Sequence, residues 1–233
     1  ISSKEQLEFS YSSHQKAIAA QEAGFFNDEI DPFELMQKKP DLSNGEIKTR
    51  VKTISQDEGP RADTSVEKMA KLRSPFAAKG SVNAATSSQM SDGAAAVLVV
   101  SAAALKKYNL TPIAKYRSFA IAGLAPEIMG VGPIKAIPMA LEKAGLKLED
   151  LDWIELNEAF AAQSLAVIKE LKIDPEKVNP LGGAIALGHP LGATGAIRVA
   201  TLVHGLKRTK KRYGMVTMCI GTGMGAAGIF ESL

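Results

Sequence analysis

The chain has 233 residues, of which 45% are hydrophobic, enough for one large domain or one and a half around a sizeable core. A formal net charge of +3 is too small to argue for nucleic acid, and no charge-free apolar run reaches the roughly eighteen residues that span a bilayer. One cysteine excludes an internal disulfide framework and fits a reducing compartment.

The chain opens on Ile1-Ser2-Ser3, directly before a helical pattern and without an initiator methionine or signal peptide, so we expect a fragment lacking its own beginning. Ser3-Lys4-Glu5-Gln6 reads as a capping box, and Leu7, Tyr11, Ala17 and Ile18 continue an amphipathic helix closed near Gly24. Residues 25–60 lose any long period, except that the alternation Ile47–Lys52 suits a partly exposed strand. Residues 61–90 mix Arg61, Lys68, Lys71, Arg73 and Lys79 with Phe76 and the polar run Ala85-Thr86-Ser87-Ser88-Gln89. That mixture suits either a phosphorylated, nucleotide-bearing ligand or a solvated surface loop.

From Asp92 the pattern is regular. It predicts a buried strand over Ala94–Val100, a helix over Ala102–Tyr108, a strand over Ile113–Ala122 and a helix over Pro133–Ala144 closed by Gly145. A short strand over Trp153–Leu156 follows, then helices over Ala161–Leu171 and Gly192–Leu206. The basic run Lys207–Arg212 then complements a helix C-terminus, and strands over Tyr213–Ile220 and Ala226–Phe230 join across a glycine turn. Strands alternating with helices and ending in a hairpin imply a layered α/β fold.

Three places carry candidate chemistry. Five glycines and Pro190 crowd His189 within residues 182–195, and such a frame permits close approach of a ligand to the backbone. At a helix N-terminus the dipole would keep that imidazole neutral; a structural histidine is the alternative. Cys219 ends a strand before Gly221-Thr222-Gly223, either as a buried small hydrophobe or as a thiol beside free amides. Asn157, where a strand gives way to a helix, either caps that helix or holds a water or oxyanion, and capping is the better expectation. Gly223-Met224-Gly225-Ala226-Ala227-Gly228 matches a dinucleotide fingerprint but has no following helix. Phosphate-loop, C-x-x-C and nucleophile-elbow motifs are absent from the sequence, and His189, His204 and Cys219 have no metal spacing.

Together Asn157-Glu158-Ala159-Phe160, Gly188-His189-Pro190-Leu191-Gly192-Ala193-Thr194-Gly195 and Cys219-Ile220-Gly221-Thr222-Gly223-Met224-Gly225 resemble the thiolase family in order and spacing. The stretches Ser87–Ala96, Pro126–Pro133 and Asn179–Gly183 look most like 3-ketoacyl-CoA thiolases of peroxisomal type, with acetoacetyl-CoA thiolases as rivals. The resemblance implies a layered α-β-α fold with a mixed sheet. Residues 1–90 would be the remainder of a loop and N-terminal domain, and residues 91–233 the second βαβαβαββ half. The acylated cysteine would lie in the missing first half.

The resemblance also implies roles. His189 would deprotonate the nucleophilic cysteine and later the CoA thiol. Cys219 would exchange a proton with the acetyl-CoA carbon, its thiol tuned towards neutrality. Asn157, through a water, and His189 would form an oxyanion hole, and the Gly221 N–H would hold the tetrahedral acyl intermediate. Ser88 would bind pantetheine, Arg61 would lie near the adenine, and Leu72, Phe76, Met129 and Phe160 would wall the channel. Coenzyme A would be substrate rather than resident cofactor, with no metal. Partners would be acyl-CoA, CoA, the missing half and a second copy in a homodimer or homotetramer, with neither nucleic acid nor membrane. The implied location is the peroxisome, with cytoplasm or mitochondrion as alternatives. A non-catalytic acyl-CoA-binding relative is the rival class, and a ketosynthase-type enzyme would have histidine where Cys219 stands.

Overall fold

The computed structural model describes residues 1–233. Helix α1 (Ser3–Glu22) begins with a capping box one residue earlier than the sequence pattern suggests: Ser2 Oγ accepts the Glu5 N–H at 3.2 Å, and the Glu5 carboxylate accepts the Ser2 N–H at 2.7 Å. A carboxylate is a stronger acceptor than the Gln6 amide, and Glu5 also pairs with Lys169. Gly24, at φ +69°, turns the chain away.

Strands β1 (Phe33–Pro40) and β2 (Ile47–Ile54) form an antiparallel ribbon in which Phe33 faces Ile54 and Pro40 faces Ile47. The sequence signals only part of β2. Nearly every residue of the ribbon is exposed, so neither face imposes a hydrophobic period by which β1 could be read. After it come the short helices α2 (Val66–Ala70) and α3 (Ala102–Tyr108).

The expected buried strand over Ala94–Val100 is not formed. These residues have no regular structure, and Leu98 and Val99 are 78% and 85% exposed. Their apolar, β-branched composition suits a strand, but a strand also needs a neighbour for its backbone groups, and none of this chain's strands pairs with them.

The sheet lies in the C-terminal part. Its order is β3 (Ala114–Gly123), β6 (Met224–Ser232), β5 (Tyr213–Ile220), β4 (Trp153–Leu156); β6 runs antiparallel to both neighbours, and β4 runs parallel to β5. Of the five strands that the resemblance implies, four are continuous. The remaining one is reduced to a single parallel bridge between Val178 and Ile154.

Alternation along the strands sorts side chains onto two faces. Ile154, Leu156, Met215, Ala227 and Ile229 pack with helices α4 (Pro133–Ala144) and α5 (Ala161–Leu171) on one side. Trp153 and Val216 pack with Leu202 and Leu206 of helix α7 (Thr194–Thr209) and with Ala20 of α1 on the other. β4 is therefore buried on both faces, which makes helix–sheet–helix layers. Helix α7 starts at Thr194 rather than Gly192, because Pro190-Leu191-Gly192-Ala193 forms the turn before it.

Helix α7 packs tightly on the sheet at Gly205, where a Cβ would lie 2.7 Å from Cη2 of Trp153. That indole is fixed by an Nε1–H bond of 2.7 Å to Glu155. Gly205→Ala gains about 0.5–1 kcal/mol of helix propensity but overpacks a fixed ring, at about 1–3 kcal/mol. We expect net destabilisation of about 1–2 kcal/mol, read as a lower urea midpoint at unchanged m-value. A raised midpoint would show that Trp153 yields.

Candidate active site

Strands β4 and β5 run parallel, and their carboxyl ends carry two of the three candidate groups, at the place where open α/β sheets bind ligands. Asn157 follows β4, its N–H bonded to Thr217 O of β5 at 2.9 Å, and its side chain is fully buried. It does not cap α5, contrary to the sequence expectation. The N-cap position belongs to Phe160, three residues later, while Asn157 still pairs with the sheet. Cys219 lies two residues beyond Thr217 along β5, about 7 Å of strand rise.

His189 reaches this end of the sheet on the loop that leaves helix α6 (Ala184–Leu187). Gly188, at φ +94°, has no room for a Cβ because Ser91 Oγ fills the space. The His189 N–H is shared between Ser91 Oγ at 3.1 Å and Gln89 O at 3.2 Å. The Gln89 side-chain amide in turn approaches Gly59 O, Ile185 O and Ala186 O at 3.0–3.1 Å. The ring sits between two side chains, with Nε2 at 3.3 Å from Asn157 Nδ2 and Nδ1 at 2.7 Å from Thr194 Oγ1.

Burial, and secondarily the Arg198 guanidinium, pushes the His189 pKa down. Desolvation and the Arg198 cation act in the expected direction, towards a neutral ring, and Nδ1 also faces Thr194, the first residue of α7. Cys219 departs from expectation: burial pushes its thiol up, not towards neutrality, and a backbone hydrogen bond offsets this only in part. The resting pair is a neutral imidazole and a protonated thiol.

Gly221 is exposed at the start of the turn between β5 and β6, with nothing within 4 Å of where a Cβ would stand. Ser88 donates its N–H to Ala159 O at 3.0 Å and Ser87 bridges Phe160, so Ser88 lies against the strand-to-helix turn that follows Asn157. Met129 belongs to the 3₁₀ turn Pro126–Val131, whose Gly130 packs on Gln163 at the start of α5. Of the remaining candidates, Arg61 donates its N–H to His14 Nδ1, and Leu72 and Phe76, beyond α2, are 46% and 75% exposed. A groove of about 440 Å³ runs between Ser91–Ala95 and Pro190–Ala193, beside His189.

Residues 110–232 match the model of the thiolase C-terminal domain, and residues 1–103 that of the thiolase N-terminal domain. The chain belongs to the thiolase family. It is 48% identical to a Bacillus subtilis 3-ketoacyl-CoA thiolase and 51% identical to the peroxisomal 3-ketoacyl-CoA thiolase B of Rattus norvegicus, each over 99% of this chain. It spans 59% and 54% of those two proteins, so the thiolases it matches are nearly twice its length. All of it superposes on 57% of the Bacillus anthracis acetyl-CoA acetyltransferase, at TM-score 0.94 and 42% identity. It likewise covers 55% of human mitochondrial 3-ketoacyl-CoA thiolase in complex with CoA (TM-score 0.88, 40% identity) and 55% of the dimeric peroxisomal thiolase of Saccharomyces cerevisiae (TM-score 0.88, 46% identity).

Sequence reading misses three residues that hold this candidate site together. Thr194 stands in a glycine-rich block whose sequence does not single it out. Glu158 is buried, and its carboxylate accepts from Ser13 Oγ at 2.7 Å, Asn179 Nδ2 at 2.8 Å and Ile185 N at 3.2 Å, while also filling the space a Cβ on Gly183 would need. Arg198, 2% exposed, lies 3.3 Å from the fully buried Glu155 and 3.5 Å from Gly182 O. An acidic residue within the apolar run Trp153–Leu156 was the available signal for the last pair, because a carboxylate there needs a buried partner.

That pair gives a direct test. Arg198→Met removes the cation and leaves Glu155 buried without compensation, which should cost about 3–5 kcal/mol in chemical denaturation. Adding Glu155→Gln to Arg198→Met should recover a large part of the loss, since the amide oxygen can still accept from Trp153. If the double variant is no more stable than the single one, the pair is not coupled.

Proposed function

We propose that this chain is the C-terminal part of a 3-ketoacyl-CoA thiolase, an acetyl-CoA C-acyltransferase of fatty-acid β-oxidation. It would cleave a 3-ketoacyl-CoA with CoA to acetyl-CoA and a shortened acyl-CoA, reversibly. The observation that carries this reading is the contact between the side chains of His189 and Asn157, 3.3 Å apart across 32 residues of sequence, at the strand end leading to Cys219.

In this mechanism His189 takes the proton of a nucleophilic cysteine contributed from outside this chain, and later that of the CoA thiol. Its half-buried, neutral ring suits a base. Once protonated, Nε2–H donates to the thioester oxyanion together with a water held by Asn157, whose buried Oδ1 has no protein partner. Cys219 supplies the proton that ends on the acetyl-CoA carbon when the C–C bond breaks; burial favours the S–H form this needs. The Gly221 N–H stabilises the tetrahedral acyl intermediate, with open space on its free side. Ser88, Phe160 and Met129 line the acyl-pantetheine channel, Leu72 and Phe76 extend it, and Arg61 lies towards the adenine. We assign residues 1–90 to the remainder of the loop and N-terminal domain and 91–233 to the C-terminal domain.

The complex of the human relative with CoA supports CoA as substrate, and the dimeric yeast relative supports a homodimer. The peroxisomal name of the rat relative supports that organelle, whereas the bacterial and mitochondrial relatives stand for the alternatives. A second reading, acetoacetyl-CoA thiolase, draws on the TM-score of 0.94 to an acetyl-CoA acetyltransferase. Rates on acetoacetyl-CoA and on longer 3-ketoacyl-CoAs separate the two.

The 233-residue chain alone should not thiolyse acetoacetyl-CoA, because the acyl-accepting cysteine is not in it. Robust activity would contradict the assigned division of labour. In a polypeptide that also carries the nucleophile, Cys219→Ser should still permit acyl labelling of that nucleophile, while exchange of the acetyl-CoA methyl protons with solvent falls by at least about 10². Unchanged methyl exchange in a folded variant would return Cys219 to a packing role.

A further inference from the structure

We infer that Thr194 is a positioning residue that fixes His189 as the Nδ1–H tautomer and so leaves the Nε2 lone pair free to accept a proton. The catalytic meaning rests on His189 as the base proposed above; the tautomer itself rests on two contacts that constrain the ring from opposite edges.

A neutral imidazole carries one proton, so one ring nitrogen donates and the other accepts. On the Nε2 edge the neighbour is Asn157 Nδ2, 3.3 Å away, and an amide nitrogen only donates; Nε2 must then accept. On the Nδ1 edge the neighbour is Thr194 Oγ1 at 2.7 Å, and that hydroxyl directs its own proton to Pro190 O at 3.0 Å. With its hydrogen engaged, Oγ1 offers Nδ1 only lone pairs, so Nδ1 must donate. The two edges give the same answer independently. Reversing the tautomer would require both turning the Asn157 amide and withdrawing the Thr194 hydroxyl from Pro190 O. Thr194 is 1% exposed and stands at the first residue of α7, so water does not compete for its hydroxyl and the helix fixes its position. The relay Pro190 O, Thr194 Oγ1, His189 Nδ1 closes a small loop on the residues next to His189. It orients the ring about an axis that the backbone alone leaves free.

The consequence is that one atom serves two successive steps. With Nδ1 committed to Thr194, every proton that His189 gains or loses passes through Nε2, the nitrogen on the side of Asn157 and β5. Threonine offers what this requires: a hydroxyl that accepts from the ring while donating to a carbonyl four residues back. Valine has the same shape and cannot do either.

The test is long-range proton–nitrogen-15 correlation of the imidazoles of the 233-residue chain, at a pH above the rings' titration. His189 is assigned by loss of its signals in His189→Gln. His14 serves as an internal standard of the opposite tautomer, because its Nδ1 accepts the Arg61 N–H at 3.2 Å. The expected result is a protonated Nδ1 and an unprotonated Nε2 for His189, the reverse of His14. In Thr194→Val the Nδ1–H population should be lost towards Nε2–H, and in Thr194→Ser it should be kept. A wild-type His189 protonated at Nε2 overturns the proposal, and so does a Thr194→Val ring that stays protonated at Nδ1. Should Thr194→Val fail to fold, the wild-type ring still decides. Because the measurement needs no substrate, an Nδ1–H ring in a protein whose complete form lacks thiolase activity would refute only the function, and an Nε2–H ring in an active one only the tautomer.

Discussion

Two buried carboxylates from one short stretch of chain hold the site. Glu155 points to one side of β4 and Glu158 follows its end; between them they fix the loop that delivers His189. Glu155 acts through Arg198, which reaches Gly182 O at the start of that loop, and Glu158 acts directly on the Ile185 N–H and the Asn179 amide. Taking two carboxylates out of water is expensive unless each finds donors. Here Glu155 has an indole N–H and a guanidinium, and Glu158 has a hydroxyl, an amide and a backbone N–H. These directional demands define one loop conformation, which apolar packing alone would leave less specified. The glycines follow from the same constraint: Gly183 exists because the Glu158 carboxylate fills its Cβ space, and Gly188 because Ser91 does.

Burial then sets both candidate titrating groups in their uncharged forms. Desolvation lowers the imidazole and raises the thiol, since each charged form is penalised in the same surroundings. The sequence motifs invite a different argument, a helix dipole for the histidine and a thiol tuned downward for the cysteine. For the cysteine burial acts against that tuning; for the histidine it acts in the same direction as the dipole of α7, whose first residue touches the ring. A neutral imidazole and a protonated thiol at neighbouring strand ends leave no resting ion pair between them.

Much of this was legible because it is local. The helices over Ala102–Tyr108, Pro133–Ala144 and Ala161–Leu171 and the strands over Trp153–Leu156 and Tyr213–Ile220 have the bounds that capping and periodicity indicate. Local patterns also misled where the answer lies elsewhere in space. Ala94–Val100 has the composition of a strand and no partner, while β1 has a partner and no pattern. Asn157 has the sequence position of a cap and the structural position of a ring contact. Thr194 was hidden in a glycine-rich block because its role depends on the side-chain direction of a residue five positions away. Of the channel candidates, Ser88, Phe160 and Met129 lie near the turn after Asn157 or the start of α5, whereas Arg61, Leu72 and Phe76 are exposed.

The site is also not the property of the C-terminal part alone. The backbone N–H of His189 is held by Ser91 and Gln89, the loop before it by Ser13 of α1 through Glu158, and Gln89 ties that loop to Gly59. The two bonds to the His189 amide cross directly from the first ninety-one residues to the loop at 179–189, and the Ser13 bond reaches it through Glu158, which also accepts from the Ile185 N–H; each has a specific donor and acceptor. The candidate base is therefore positioned by residues far upstream of the motif in which it stands. Separating the sheet-bearing part from residues 1–91 would leave the Glu158 carboxylate short of a hydroxyl donor and the His189 amide without either acceptor. A loop so stripped has fewer directional contacts to oppose its conformational entropy: residues 1–91 supply part of the apolar packing of one sheet face, through Ala20 and Phe26, but both acceptors of the His189 amide.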